Sequence, residues 1–216
     1  MKTIELKEKK FNIGKIVCVG RNYIEHAKEL GNEVPEFPLI FLKPASVLIF
    51  DGEKIVHPDY SNEMHHEVEL VLLIGETIKN ADDNSAANAI YGYAVGLDMT
   101  LRDIQSELKK KGHPWTLAKV FDGSAAVSEF INRDDYSLKG NEKIFLSVNG
   151  ETRQDSTLAK MIFSPVEIVK YISQKMTLEP GDLIYTGTPS GVSKVTQGDN
   201  LTAEIENIGK LNVTIV

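Results

Sequence analysis

The sequence predicts an α+β, β-rich fold built on a mostly antiparallel or mixed sheet with a few helices. Short apolar, β-branched runs outnumber helical patterns, and turn signals such as Asp51-Gly52 and Asn149-Gly150 separate them. The regular strand–helix alternation of a doubly wound fold is missing, and so is a GxGxxG loop. No repeat or linker marks an interior boundary, so we expect one domain over residues 1–216.

The predicted strands are runs of three to seven residues rich in Val, Ile, Leu, Phe and Tyr. They cover residues 15–19, 39–42, 47–50, 68–74, 144–148, 183–185, 201–205 and 211–216.

Helical patterns cover residues 23–30, 81–89, 101–111 and 165–175. For the first, we expect Asn22 as N-cap, Glu25 in a capping box and Gly31 just past the C-terminus. For the last, we expect Ser164 as N-cap and Pro165 at the first helical position.

Composition narrows the classes of function. The single cysteine, Cys18, excludes a disulfide framework and a cysteine-rich zinc site. The net charge of -7 argues against a nucleic-acid partner. The N-terminal residues resemble neither a signal nor a transit peptide, and no run reaches the length of a membrane span. We therefore expect a soluble, cytoplasmic protein that binds small molecules or proteins.

Two acidic residues stand at the start of the most apolar strand. Glu67 and Glu69 share one face, about 6.6 Å apart, and two carboxylates at that distance repel by about 2.5 kcal/mol at an effective dielectric of 20. Either they face solvent at a strand end, or their oxygens hold a divalent cation. Asp98 closes another apolar segment and is either a helix N-cap or a third ligand.

Three further features are candidates for chemistry. His26 and Glu29 are three apart on the first helix, where a carboxylate can orient an imidazole as general base, although such pairs are common on solvated helices. Lys119 lies among apolar neighbours, although most lysines are surface residues. The segment 185–191 follows a strand and either aims backbone N–H groups at an anion or is only a turn.

Several segments in a fixed order resemble the fumarylacetoacetate hydrolase family, specifically its short branch of acylpyruvate hydrolases and oxaloacetate decarboxylases or tautomerases. The matching stretches are Val17-Cys18-Val19-Gly20-Arg21-Asn22-Tyr23 with His26, Phe41-Leu42-Lys43-Pro44, His65-His66-Glu67-Val68-Glu69-Leu70, Gly96-Leu97-Asp98-Met99-Thr100 with Arg102, Asp103 and Gln105, Pro114-Trp115-Thr116-Leu117-Ala118-Lys119, and the segment 181–192.

The resemblance implies the mixed β-sandwich roll of that family's C-terminal domain, usually as a homodimer, and a Mg²⁺ or Mn²⁺ ion. It implies a role for each of these positions: metal ligands at Glu67, Glu69 and Asp98, catalytic residues at His26, Glu29 and Lys119, and substrate contacts at Arg102, Gln105, Thr188 and, more loosely, Arg21. His26 and Glu29 would lie on a mobile segment that closes over the ligand.

The function that the resemblance implies is cleavage of 3-acylpyruvates, or decarboxylation or tautomerisation of oxaloacetate, through a metal-stabilised enolate. Two alternatives stay open. One is an isomerase or decarboxylase of the 2-hydroxyhepta-2,4-diene-1,7-dioate type. The other is a metabolite-binding protein without turnover.

Overall fold

The computed structural model describes residues 2–216 and contains seventeen strands and five α-helices among them. The strands are β1 (Thr3–Leu6), β2 (Lys9–Asn12), β3 (Lys15–Gly20), β4 (Leu39–Pro44), β5 (Leu48–Phe50), β6 (Lys54–Ile55), β7 (Met64–His65), β8 (Val68–Ile74), β9 (Ile90–Asp98), β10 (Thr100–Leu101), β11 (Ala125–Val127), β12 (Ile131–Asn132), β13 (Lys143–Val148), β14 (Glu151–Thr157), β15 (Leu183–Tyr185), β16 (Asn200–Ile205) and β17 (Gly209–Ile215). The helices are α1 (Ile24–Glu29), α2 (Asp83–Ala89), α3 (Arg102–Lys110), α4 (Thr116–Lys119) and α5 (Pro165–Lys175).

Two large sheets form the body of the protein. An eight-stranded sheet has the order β4-β3-β15-β8-β9-β11-β5, with β12 also paired to β9. A five-stranded sheet has the order β14-β13-β16-β17-β6. Most neighbours are antiparallel, whereas β3 with β15, β5 with β11 and β6 with β17 are parallel. The prediction of a β-rich, mixed sheet is therefore confirmed.

The larger sheet curls into a roll. Its two edge strands, β4 and β5, follow one another in the chain with only a three-residue 3₁₀ turn, Ala45–Val47, between them. Edges joined by so short a segment must lie near each other, so the sheet bends around an interior. That interior holds its own apolar cluster, closed by the β1–β2 hairpin through Ile4 and Phe11.

Strand β8 is buried along its whole length and contributes to two cores. Leu70 and Leu72 belong to the main core shared with the five-stranded sheet and α5. Val71 and Leu73 face the interior of the roll, as the two-residue alternation of a strand requires. Glu69 shares the parity of Val71, so its side chain starts on the interior face.

Gly96, the residue opposite Glu69 on β9, has no side chain, and this leaves space for Tyr185 and Val71. A Cβ at Gly96 would stand 2.4 Å from Val71 Cγ2 and 2.6 Å from Tyr185 Cε1. Only glycine allows Tyr185 to lie across β9, where its hydroxyl donates a 2.9 Å hydrogen bond to the carbonyl of Ala126.

Local signals predicted α5 well. The helix begins after Ser164, which forms a capping box with Glu167, and has Pro165 at its first position. In α1, by contrast, the predicted cap is wrong, because the N-cap residue is Tyr23 and makes no side-chain hydrogen bond. The Asn22 side chain instead hydrogen-bonds the backbone of Phe163 and Thr186.

Several of the observed elements were not predicted from the sequence. The long strand β9 and the polar strand β14 were absent from the predicted set, as was the short helix α4. No helix within residues 2–216 combines the length and the apolar character needed to cross a membrane.

Candidate active site

Three buried carboxylates meet where β8 begins and β9 ends. Glu67, Glu69 and Asp98 are 5%, 2% and 1% exposed, and one oxygen from each lies within 4.8 Å of the others. The antiparallel pairing of β8 with β9 produces this meeting, and a 2.9 Å bond from the Asp98 N–H to the Glu67 carbonyl extends the pairing. The solvent-facing interpretation of the two glutamates is therefore wrong. Asp98 is also no helix cap, since α3 starts after Leu101.

Lys119 lies between two of these carboxylates. Its Nζ is 2.8 Å from Glu67 Oε2, 2.7 Å from Asp98 Oδ2 and 2.5 Å from Thr100 Oγ1. Burial opposes its charge, but Asp98 and Glu67 outweigh burial and raise the pKa of Lys119. The side chain is 3% exposed, so it is not the surface lysine that residue statistics favour.

A second lysine, absent from the sequence-based candidates, approaches Asp98 from the other side. Lys43 Nζ lies 2.7 Å from Asp98 Oδ1 and donates to the carbonyls of Ser124 (2.6 Å) and Met99 (3.2 Å). Its side chain is fully buried. The sequence did contain a signal for Lys43, which stands between the apolar run 39–42 and Pro44. A strand position next to such a run seldom tolerates an unpaired charge.

The three carboxylates differ in electrostatic environment. Burial opposes ionisation of Glu67, but Lys119 and Arg102 lower its pKa well below the usual range. Burial together with the charges of Asp98 and Glu67 raises the pKa of Glu69 well above the usual range. No cation within residues 2–216 forms an ion pair with Glu69, which accepts a 2.6 Å bond from the Gly187 N–H.

The cluster fits a divalent cation held by oxygen. All three donors are hard carboxylates, the class that Mg²⁺, Mn²⁺ and Ca²⁺ prefer. A dication between them would offset the repulsion that Asp98 and Glu67 exert on the Glu69 carboxylate. Each carboxylate oxygen carries more than one lone pair, so the contacts to Lys119 and Lys43 do not exhaust the oxygens of Glu67 and Asp98.

The loop after β15 has the anion-facing geometry that the sequence suggested. Gly187 has a φ of +98°, and its N–H points at the Glu69 carboxylate. A Cβ there would stand 2.6 Å from Asn22 Cβ. The anion in this structure is thus a side chain of the protein itself.

Helix α1 brings an oriented histidine to the same place. His26 Nδ1 is 3.0 Å from Glu29 Oε2, and Glu29 Oε1 accepts a 2.9 Å bond from the Gly191 N–H. Burial opposes the charge of Glu29, but its bonds with His26 and Gly191 lower its pKa. His26 is 4% exposed. With Nδ1 engaged, Nε2 is the ring atom left for proton exchange.

A single cleft contains every side chain predicted to act in the site, apart from Glu29, which contacts it through His26. Its lining residues are Val19, Gly20, Arg21, His26, Leu30, Asn32, Phe41, Glu67, Glu69, Asp98, Arg102, Gln105, Lys109, Trp115, Lys119 and Thr188.

The predicted substrate contacts have defined partners. Arg102 donates to Glu67 Oε1 and, at 2.7 Å, to Gln105 Oε1. Thr188 Oγ1 accepts a 2.8 Å bond from Gln154 Nε2. Arg21 lines the cleft and adopts a φ of +60°, which is uncommon for a residue with a side chain.

Two aromatic residues of the cleft were not singled out from the sequence. Phe41 and Trp115 pack edge to face with ring centroids 6.1 Å apart. Lys119 Nζ lies 5.0 Å from the Phe41 centroid, a cation–π distance. These rings shield the lysine and its carboxylates from solvent.

Comparison with known proteins identifies the family and agrees with the fold. Residues 15–216 match the family model described as fumarylacetoacetate (FAA) hydrolase C-terminal. The chain is 44% identical over 193 residues to the mitochondrial oxaloacetate tautomerase FAHD1 of Bos taurus, covering 89% of this chain and 87% of that protein. It is 44% identical over 197 residues to the oxaloacetate tautomerase YcgM of Escherichia coli, covering 91% and 90%.

A solved structure extends the comparison from sequence to fold. The fumarylpyruvate hydrolase of Pseudomonas aeruginosa, crystallised with Mn²⁺ and pyruvate, superposes with a TM-score of 0.94 at 37% identity, covering 99% of this chain and 94% of that one. On these matches, the chain belongs to the fumarylacetoacetate hydrolase family.

Proposed function

We propose that this protein is a divalent-metal-dependent enzyme that tautomerises or decarboxylates oxaloacetate and cleaves short 3-acylpyruvates. The observation that carries the proposal is the convergence of three buried carboxylates, a buried lysine and the His26–Glu29 pair on one cleft. The relatives named oxaloacetate tautomerase and fumarylpyruvate hydrolase act on 2-oxo acids, which supports the same substrate class here.

Glu67, Glu69 and Asp98 would hold Mg²⁺ or Mn²⁺ as the cofactor. When bound, the ion acts as a Lewis acid that stabilises negative charge developing on the C2 oxygen of a 2-oxo acid. Lys119 supplies a second positive centre beside the same oxygen. Phe41 and Trp115 keep water away from it, which strengthens both electrostatic interactions.

His26 is the proton-transfer residue in this proposal. Its Nδ1 is held by Glu29, so Nε2 can take a proton from C3 of oxaloacetate and return it to the C2 oxygen, which completes keto–enol exchange. For a 3-acylpyruvate, His26 takes a proton from water, and the hydroxide adds to C4. The C3–C4 bond then breaks, C3 receives the proton, and pyruvate and a carboxylic acid leave.

Decarboxylation of oxaloacetate requires no attacking water. The C3–C4 bond breaks, CO₂ departs, and the electron pair moves to the C2 oxygen beside Lys119 until C3 takes up a proton from water. Arg102, Gln105, Thr188 and Arg21 would orient the substrate from the walls of the cleft. One arrangement of side chains therefore serves three related reactions.

The proposal also covers domain organisation, oligomeric state and cellular location. Residues 1–216 would act as one catalytic domain, as a homodimer in the cytoplasm, with small 2-oxo acids as the only partners required. Family analogy supports the dimer. Sedimentation velocity of the purified protein measures the oligomeric state directly.

Chelation and a matched pair of variants test the function. Purified protein is treated with EDTA, supplied with Mg²⁺ or Mn²⁺, and presented with oxaloacetate, acetylpyruvate and longer dicarboxylated dienes while pyruvate, CO₂ and enol absorbance are followed. We expect loss of activity on chelation, recovery with either ion, and no turnover in Glu69→Ala. Glu76→Ala removes one exposed carboxylate just past β8 and should leave turnover unchanged.

The panel also decides between the alternatives. Preference for the longer diacids would replace the proposal with the diene isomerase or decarboxylase. Binding of Mn²⁺ without turnover of any 2-oxo acid would favour the metabolite-binding protein.

A further inference from the structure

One wall of the cleft carries positive charge that the carboxylates of the site neutralise only in part. Arg21 and Lys109 line the cleft together with Arg102. No carboxylate within residues 2–216 forms an ion pair with Arg21 or Lys109, whereas Arg102 is paired with Glu67. In a chain of net charge -7, a wall with two unpaired cations is a local exception, and it attracts anions toward the cleft.

Hydrogen-bond donors on the same wall lack acceptors. Lys109 Nζ donates a 2.9 Å bond to Asn32 Oδ1, and this bond holds the end of α3 against the segment after α1. Asn32 Nδ2 and Arg102 Nε are buried and have no hydrogen-bond partner among the described residues. Buried donors are normally satisfied, so unpaired donors beside a cleft indicate an acceptor supplied by a ligand.

The charges on this wall also disfavour one another. Burial, followed by the charges of Arg21 and Arg102, lowers the pKa of Lys109. Burial likewise lowers the pKa of Arg21. An anion placed among these groups would offset the repulsion between the cations. It would also accept hydrogen bonds from the unpaired donors.

We infer that Lys109, held in place by Asn32 and assisted by Arg21, binds a second carboxylate on the substrate and so selects dicarboxylic 2-oxo acids. The inference rests on the proposed function, in which the C2 oxygen of the substrate lies beside a metal ion that Glu67, Glu69 and Asp98 would hold. The distal carboxylate then lies toward the cationic wall. A 3-acylpyruvate with a neutral acyl group has nothing to offer Lys109.

A matched pair of lysine variants on one helix tests this assignment. Lys109→Met removes the cleft lysine, and Lys110→Met removes the next lysine, which is exposed to solvent. For Lys109→Met we expect kcat/KM for oxaloacetate to fall by about tenfold or more, mainly through KM, as loss of a charge-assisted hydrogen bond predicts. Activity on acetylpyruvate and the inhibition constant of oxalate, which reports on the metal end of the cleft, should stay within about twofold.

Two further variants separate ligand binding from a structural role. If Lys109 serves only to fasten the segment after α1, Asn32→Ala should reproduce Lys109→Met, and both should weaken oxaloacetate, acetylpyruvate and oxalate alike. If Lys109 binds the distal carboxylate, Lys109→Arg should recover most of the oxaloacetate activity, and Asn32→Ala should keep the preference for the dicarboxylate.

The outcomes distinguish this inference from the proposed function. Wild-type protein that turns over neither oxaloacetate nor acetylpyruvate contradicts the proposed function. Wild-type protein that turns over acetylpyruvate but not oxaloacetate, or a Lys109→Met variant with no change or with equal losses on both substrates, overturns the role of Lys109 and leaves the proposed function standing.

Discussion

Glu29 of α1 is fastened to Gly191 by a 2.9 Å hydrogen bond from the Gly191 N–H to Glu29 Oε1. The other oxygen of the same carboxylate orients His26. One side chain therefore couples the position of a candidate lid to the orientation of its imidazole. We predict that closure of α1 and orientation of His26 for proton transfer occur together.

We expect Glu29→Ala to loosen α1 and the segment that follows it. The substitution removes the bond from the Gly191 N–H, which joins α1 to the loop after β15. Hydrogen exchange of residues 23–38 should be faster in the variant, and oxalate with Mg²⁺ should protect this segment in wild-type protein. Protection that is equal in both proteins, with and without oxalate, contradicts a lid fastened by Glu29.

His26→Ala should separate catalysis from metal binding. His26 bonds to Glu29 and to none of the three carboxylates, so its loss removes proton transfer and leaves the metal ligands in place. We expect kcat to fall by about 10²–10⁴-fold, the range for general acid–base catalysis. Calorimetric titration with Mn²⁺ should give nearly the wild-type affinity. A large loss of Mn²⁺ affinity would instead place the imidazole among the metal ligands.

Lys43→Met should destabilise the protein and strengthen its binding of Mn²⁺. The variant leaves Asp98 buried with one cation fewer, and breaking a buried ion pair costs about 3–5 kcal/mol. The same loss of positive charge makes the three carboxylates a better site for a dication. Urea unfolding of metal-free protein and calorimetry with Mn²⁺ measure the two effects.

The control for Lys43 is Lys54→Met on β6. This lysine is exposed on the edge strand of the five-stranded sheet. Its loss should change the free energy of unfolding and the Mn²⁺ affinity very little. A Lys43→Met variant that unfolds like the Lys54 control, or that binds Mn²⁺ more weakly than wild-type protein, would show that Lys43 does not govern the charge at Asp98.

Features set by neighbours in sequence were predicted well, and features set by distant contacts were not. The ends of α5 follow from Ser164 and Pro165, whose signals lie within one helical turn. Asn22 satisfies the same local rule at α1, yet its side chain bonds to Phe163, 141 residues away. Sequence spacing alone cannot weigh such a competing long-range bond.

The candidate site divides in the same way. Glu67 and Glu69 are conspicuous because they interrupt a buried strand, and Asp98 because it ends one. Lys43 pairs with Asp98 across 55 positions of the sequence, which no local pattern reveals. Strand β14 escaped prediction because its exposed edge position permits the polar run Glu151–Thr157.

Glu142, remote from the cleft, should make stability depend on pH. Its carboxylate is 2% exposed by residue and accepts bonds from the Tyr136 hydroxyl (2.7 Å) and the N–H groups of Lys139 (2.6 Å) and Gly140 (2.9 Å). Burial opposes its charge, but these donors outweigh burial and lower the pKa of Glu142. Between the lowered folded pKa and the ordinary unfolded value, the unfolded state binds more protons.

The stabilisation from Glu142 is therefore complete above the unfolded pKa, near pH 4.5, and is lost as pH falls through the lowered folded pKa. We expect Glu142→Gln to lower the free energy of unfolding at pH 7 by about 1.5–3 kcal/mol, the range for hydrogen bonds to a charged group. The deficit of the variant should shrink as both proteins are taken toward pH 3, while kcat/KM at pH 7 stays at the wild-type value. A deficit that is the same at pH 7 and pH 3 would mean that packing of the loop, and not the charge of Glu142, stabilises this corner of β13.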